Sequence, residues 1–181
     1  MSKVELLEGI IAGNEDSYKE LISLYQSKLK NVAYGIVHNW DDAEDIVQDT
    51  FVDVFRNISK FRGDANIATW IYRITINKSL NHIRKHKNKN HTTNSLENLT
   101  SKEELKDSNP TEENINEERL LKLNKAIDKL SEKQKTAFTL FYYEEMSQKD
   151  IAQIMNISSS AVEQLVFRAK QKLKKQLGFD E

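Results

Sequence analysis

Two sets of polar side chains in this chain have the types and spacing to bind nucleic acid. The first lies in the stretch MSQKDIAQIMNISSSAVEQLVFRAKQKL, from Met146 to Leu173. Ser147 precedes a helical pattern, with Asp150 in its first turn, as a capping serine does. Ile151, Ile154 and Met155 continue at helical spacing. Asn156 stands where the chain must turn, and Asn tolerates left-handed backbone better than other non-glycine residues. Ser158 or Ser159 then caps a second helix, whose Val162, Leu165 and Val166 pack on the first. Small Ala152, the turn at Asn156 and apolar Val162 fall at the relative positions of a helix-turn-helix, in which the second helix enters the DNA major groove. Arg168, Lys170, Lys172, Lys174 and Lys175 give that helix a basic end suited to phosphates. The competing reading is an ordinary helical hairpin with a solvated end.

The second set is Arg73, Asn77, Asn81 and Arg84, which fall on one stripe of a helix. Tyr72, Ile76, Leu80 and Ile83 form an apolar stripe on the other side. Arginine holds phosphates and the Asn carboxamide pairs with base edges. Trp70 projects near the polar stripe, where its ring can stack on an unpaired base. A solvated face with a half-buried Trp is the alternative.

Charge is laid out in blocks although the net charge is only −1. Asp41, Asp42, Glu44, Asp45, Asp49 and Asp53 lie together with no base among them. From Ala65 to Leu96 there is no acid, but Arg73, Lys78, Arg84, Lys85, Lys87 and Lys89 occur. Acids dominate again from Glu97 to Glu118, and the last helix is basic. Such an order lets different segments serve different partners.

The elements that must carry these residues are helices. One Pro and five Gly in 181 residues leave few breakers, which predicts an all-α fold of two small helical domains. A first helix spans Ser2–Ala12 and stops at Gly13. A second starts near Asn14 to Ser17, buries Tyr18, Leu21, Ile22, Tyr25, Leu29, Val32 and Ile36, and breaks at His38-Asn39-Trp40. Asp41 or Asp42 caps a third, with Ala43, Ile46, Val47, Phe51, Val54 and Phe55 inside. A loop from Lys60 to Asn66 leads to a fourth helix, Ile67–His86. Residues 87–118 carry too few apolar side chains to fold alone and read as a flexible acidic linker. Leu120, Leu121, Leu123, Ile127 and Leu130 resume the helical pattern. Ser131 to Gln134 is a capping box that opens a helix with Ala137, Phe138, Leu140 and Phe141 inside. Gly178 stops the last helix.

Catalysis finds little support. With no Cys, there is no thiolate metal site and no disulfide. His82 and His86 lie one helical turn apart, but in an acid-free basic segment that repels a dication. Asp41 to Asp45 read as an exposed docking face, not as a magnesium site. The glycines are too scattered for a phosphate loop. No cofactor, no metal and no enzymatic activity are expected. No apolar run is long enough to span a bilayer, and the N-terminus does not read as a signal peptide. The expectation is a cytoplasmic, soluble protein with no membrane insertion.

Three motifs in order carry a family resemblance. Asp42-Ala43-Glu44-Asp45-Ile46-Val47-Gln48-Asp49-Thr50-Phe51 resembles conserved region 2.2 of bacterial RNA polymerase sigma factors. Phe61-Arg62-Gly63, then Thr69-Trp70-Ile71-Tyr72-Arg73-Ile74-Thr75-Ile76-Asn77, resembles regions 2.3 and 2.4. The helix-turn-helix resembles region 4.2. The chain lacks room for the middle domain of larger sigma factors, so it is similar to the extracytoplasmic-function (ECF) class.

That resemblance implies roles. Residues 1–86 would form region 2, 87–118 the linker and 119–181 region 4. Asp42, Glu44, Asp45, Gln48 and Asp49 would dock on the clamp of the polymerase's largest subunit. Phe61, Arg62, Trp70, Arg73, Ile74, Thr75, Asn77, Asn81 and Arg84 would face the minus-ten element and capture a flipped base. Opening DNA costs on the order of 1–2 kcal/mol per step, and stacking a base on an aromatic ring recovers on the order of 1–3 kcal/mol. Binding energy would therefore drive melting. The linker would thread the channel where RNA later runs. Ser158, Ser159, Ser160, Glu163, Gln164, Phe167, Arg168, Lys170 and Lys172 would read the minus-thirty-five element. Further implied partners are the flap of the second-largest subunit, promoter DNA and an anti-sigma factor, with the free chain a monomer. One departure stands out. Many ECF members carry a basic-Ser-Arg triplet where this chain has Glu163-Gln164-Leu165, so phosphate contact shifts to Arg168, Lys170 and Lys172. Glu163 can accept from cytosine N4 and Gln164 can pair with adenine. The reading from another class is a dimeric DNA-binding regulator that never meets the polymerase, which leaves the acidic helix without a task.

Overall fold

A computed structural model describes residues 3–58, 61, 66–93 and 112–178. Among these there are eight helices and no strand. They are α1 (Lys3–Ile11), α2 (Glu15–Val37), α3 (Trp40–Asn57), α4 (Ile67–Thr93), α5 (Glu112–Asp128), α6 (Glu132–Tyr142), α7 (Gln148–Met155) and α8 (Ser159–Leu177).

Local chemistry sets most boundaries. Gly13 takes φ 76° after α1, and the Asn14 side chain accepts from Ser17 N to start α2. His38 ends α2 in the left-handed region at φ 57°, its N–H donating to Tyr34 O. Asn39 caps α3, its carboxamide oxygen accepting from Asp41 N at 2.8 Å and Asp42 N at 3.0 Å. The cap expected at Asp41 or Asp42 therefore lies earlier. Once His38 turns the chain, Asn39 is the first extended residue, and the two aspartates fall in the first turn, where the helix dipole favours them.

Two expectations on length change. α4 continues past His86 to Thr93, and α5 begins at Glu112. Neither stretch contains Gly or Pro, so nothing stops the backbone ladder. The rest of the expected linker, 94–111, lies outside the described residues.

The α3–α4 seam is tight because small hydroxyls line it. Thr50 Oγ1 donates to Ile46 O, Thr75 Oγ1 to Ile71 O and Ser79 Oγ to Thr75 O. Each bonds back along its own helix, so no buried hydroxyl is left unpaired there. α4 is rich in β-branched residues early on, poor helix formers whose burial overrides propensity: Ile67, Ile71 and Ile76 are all in the core.

One apolar cluster runs from Leu6 and Ile10 through α2–α4 to Ala137, Leu140, Ile151 and Val162. A smaller one joins Ile127 and Leu130 of the α5 end to Ala169 and Leu173 of α8. Phe55, expected inside, is 62% exposed and rests on Tyr18 at 5.0 Å between ring centroids. Leu120 and Leu121 are exposed as well.

Candidate nucleic-acid and polymerase interfaces

The helix-turn-helix forms as its sequence dictates. Ser147 caps α7 by accepting from Asp150 N, and Asn156 ends it at φ 54°, ψ 50°. Ser158 caps α8, accepting from Ala161 N at 3.1 Å. Ala152 and Val162 are buried where the helices cross. Ser158, Ser159, Ser160, Glu163, Gln164, Phe167, Arg168 and Lys170 are all exposed. Phe167 stands out as an aromatic ring 61% exposed on a polar face. Lys172 differs: its Nζ reaches back to donate to Lys129 O, the carbonyl beyond the end of α5. It braces α8 against α5 in this conformation.

On α3 the acids sort into two groups. Asp45, Gln48 and Asp49 are exposed on the outer face. Asp42 lies 3.2 Å from His82 Nε2, and Glu44 accepts from Lys30 Nζ. Asp53 and, more loosely, Asp49 meet Lys78 at 2.8 and 3.8 Å. Asp42 and Glu44 thus tie α3 to its neighbours, while Asp45, Gln48 and Asp49 remain available. Among the described residues no group of three or more His, Cys, Asp or Glu is gathered as a metal site.

On α4, Trp70 is half-buried against Phe61, ring centroids 5.3 Å apart. Asn77 and Asn81 are exposed, and Ile74 is half-buried. Thr75, implied at the DNA surface by resemblance, is fully buried and lies 3.4 Å from Thr50 Oγ1. Arg62 lies outside the described residues. The apolar and polar stripes of α4 are neighbours rather than opposites, since consecutive residues are about 100° apart on a helix. Arg73, Ile76, Asn77 and Leu80 accordingly line one cleft of about 560 Å3, closed on its far side by residues of α6 and α7.

That far side holds what sequence reading missed. Arg73 donates to Ile154 O at 2.9 Å and Gln153 O at 2.7 Å. Arg84 grips Glu132 with Nε and Nη2, and Nη1 donates to Asn81. Thr139 Oγ1 donates to Gly35 O at 3.2 Å. Lys135, nearly fully buried, donates to Asp128. His38 Nε2 lies a longer 3.4 Å from the same carboxylate oxygen. Burial pushes the Asp128 carboxyl up, but bonding to His38 and Lys135 outweighs it and holds the group at about 2. Burial also raises Glu144, against hydrogen bonding from Asn31 and Tyr72. Only Gly35 signalled any of this in advance: a glycine inside a helix often marks a close backbone approach.

A capped helix pair joined by a left-handed turn, with a polar face on its second helix, has the geometry of a helix-turn-helix. Residues 21–89 match the family model for Sigma-70 region 2, and residues 120–173 that for Sigma-70, region 4. The RNA polymerase sigma-H factor of Pseudomonas aeruginosa is 30% identical, over 96% of this chain and 92% of the relative. The ECF RNA polymerase sigma-E factor of Haemophilus influenzae is also 30% identical, over 95% and 93%. The fold is similar to that of CnrH in complex with the cytosolic domain of CnrY, with TM-score 0.68, 23% identity and 97% of each chain covered. It is also similar to that of the sigma factor RpoE in complex with the anti-sigma factor NepR from Bartonella quintana, with TM-score 0.63, 22% identity and 91% of this chain and 98% of that one covered. The chain belongs to the ECF group of the sigma-70 family of RNA polymerase sigma factors.

Proposed function

We propose that this chain is a dissociable, non-enzymatic subunit that binds core RNA polymerase, directs it to particular promoters and assists melting. One observation carries the reading: a single chain holds an outward acidic stripe on α3, an aromatic-and-Asn surface on α4 and a helix-turn-helix of α7 and α8. Asp45, Gln48 and Asp49 of α3 engage the clamp of the largest subunit, where complementary charge steers docking. Phe61, Trp70, Asn77 and Asn81 receive the minus-ten strand. Ser158, the cap of α8, and α8 residues to Lys170 read the minus-thirty-five element, with Arg168 and Lys170 making the phosphate contacts because Glu163-Gln164-Leu165 stand where a basic triplet is more usual. Residues 1–86 serve the first two tasks, 119–181 the third, and 87–118 connect them. The work is cytoplasmic, where the polymerase is. No helix among the described residues is long and apolar enough to cross a membrane. One protein of similar fold, the sigma factor RpoE, is in complex with the anti-sigma factor NepR, and this chain is proposed to have a partner of that kind.

Asn77 gives the cleanest test. Asn77→Ala removes an exposed carboxamide and no core contact. Losing one good base contact costs about 1–3 kcal/mol, so promoter opening, read by permanganate reactivity of unpaired thymines, is expected to fall roughly tenfold at unchanged core affinity. Equal loss of both would show that Asn77 supports the fold.

A further inference from the structure

The cleft that α4 forms with α6 and α7 has the make-up of a small-molecule site. We propose that it binds an amphipathic organic anion, an aliphatic body carrying one carboxylate or phosphate head. The binding itself needs nothing from the functional reading above, and only its consequence for promoter DNA rests on that reading.

At about 560 Å3 the cleft falls within the range of small-molecule sites, roughly 300–1,000 Å3. Its floor is aliphatic: Ile76, Leu80 and Ile154 are buried, with Met155 and Ile157 half-buried beside them. No aromatic side chain lines it, so it offers no ring on which a flat base could stack. That sets it apart from the Phe61–Trp70 pair and makes an alkyl body the better complement. Burying such a body against the floor supplies the driving force.

The polar rim selects the head group. Arg73 of α4 and Lys133 of α6 both line the cleft. Arg73 commits Nε and Nη2 to Ile154 O and Gln153 O, which leaves Nη1 without a partner among the described residues. Lys133 is exposed and has no ion pair among them. The carboxylate in the wall, Glu132, is already held by Arg84. The wall also takes in the first turn of α6, where the helix dipole favours negative charge. Asn77 and Asn156 add carboxamide N–H groups that can donate to a carboxylate or phosphate oxygen. Cationic donors beside an aliphatic floor complement an anion with a hydrocarbon tail and repel a cation of the same shape.

Asn77 is part of this wall, and the functional reading gives the same carboxamide to the minus-ten strand. A bound anion and that strand therefore exclude each other. Two substitutions separate head from body. Lys133→Glu reverses the charge at the rim, and a carboxylate in the first turn of α6 suits the helix dipole, so the fold should be kept. Met155→Trp tests the body, because the larger ring fills the cleft from the α7 side.

The test is calorimetric titration of the full chain with decanoate, decyl phosphate, decyltrimethylammonium and decanol. Either anion should bind at a single site, the tighter of the two identifying the head group, and the cation and the alcohol should bind roughly tenfold or more weakly. Affinity for the anions should fall roughly tenfold in Lys133→Glu, the loss of one charged hydrogen bond, and binding should disappear in Met155→Trp at normal helix content. In nuclear magnetic resonance spectra, decanoate should shift the side-chain amides of Asn77 and Asn156 and the methyls of Ile154 and Ile157. No binding, equal affinity in Lys133→Glu, or shifts gathered instead at exposed Phe55 or Phe167 would overturn the site. The consequence is checked by adding core enzyme and promoter to the wild type or Lys133→Glu at a decanoate concentration that just saturates the wild type. Dependent transcripts should fall in the wild type and much less in Lys133→Glu. Undiminished transcripts from the wild type would overturn the exclusion, whereas no dependent transcripts even without decanoate would count against the functional reading and leave the binding result standing.

Discussion

Asp45→Arg combined with Asp49→Arg is expected to abolish binding to core RNA polymerase while leaving the fold intact. Both carboxylates are on the outer face of α3, and Asp45 has no ion-pair partner among the described residues. Asp49 has only a loose 3.8 Å approach from Lys78 and is 75% exposed. An exposed pair of this kind contributes about 0–1 kcal/mol to stability, so melting should hardly change. At an interface the same charges matter far more, since like-charge juxtaposition costs several kcal/mol. Two reversals should lower affinity by a hundredfold or more, about 3 kcal/mol, as read by anisotropy of labelled protein titrated with core enzyme. Glu44→Gln is the contrast: its carboxylate is held by Lys30, so it should shift stability slightly and docking little. Unchanged affinity in the double reversal would remove the docking role from α3.

Asp128→Ala is expected to give the largest loss of stability. Lys135 is 2% exposed, and Asp128 is its ion-pair partner. Removing the carboxylate strands a buried ammonium, which costs about 3–5 kcal/mol when a pair is fully buried. Asp128 is itself half-exposed, so the lower end applies, and melting should fall by roughly 6–12 °C for a chain of this size. Lys135→Met should cost less, because it removes the charge and keeps apolar bulk. The pH dependence has a fixed sign. The Asp128 carboxyl is depressed from 3.8 to about 2, so its stabilisation is complete above its ordinary range and is lost as pH falls through about 2. Melting curves between pH 5 and 2 should therefore steepen for wild type and not for Asp128→Asn. Parallel curves would show that the pair contributes nothing net.

What the sequence revealed was what neighbouring residues decide. The caps at Ser147 and Ser158, the left-handed turn at Asn156 and the Ser131–Gln134 box each involve groups within one turn, and each forms. The α3 cap was misplaced because Asn39, Asp41 and Asp42 are all capable caps. The choice among them depends on where His38 turns the chain. Phe55 has a core residue's periodicity yet is exposed, because periodicity does not distinguish a buried face from one left open at the surface. The polar stripe of α4 was legible, but its partners were not. Arg73 meets Gln153 and Ile154, and Arg84 meets Glu132, through contacts that leave no local pattern. The same holds for burial of Thr75, which depends on Thr50 across the α3–α4 seam.

The most direct measurement is transcription from a genomic promoter library by core RNA polymerase with and without this protein. The account predicts transcripts that require it and that begin a fixed distance downstream of a shared two-part sequence. DNA binding without core binding, and no dependent transcripts, would contradict it and leave the acidic stripe of α3 without a task.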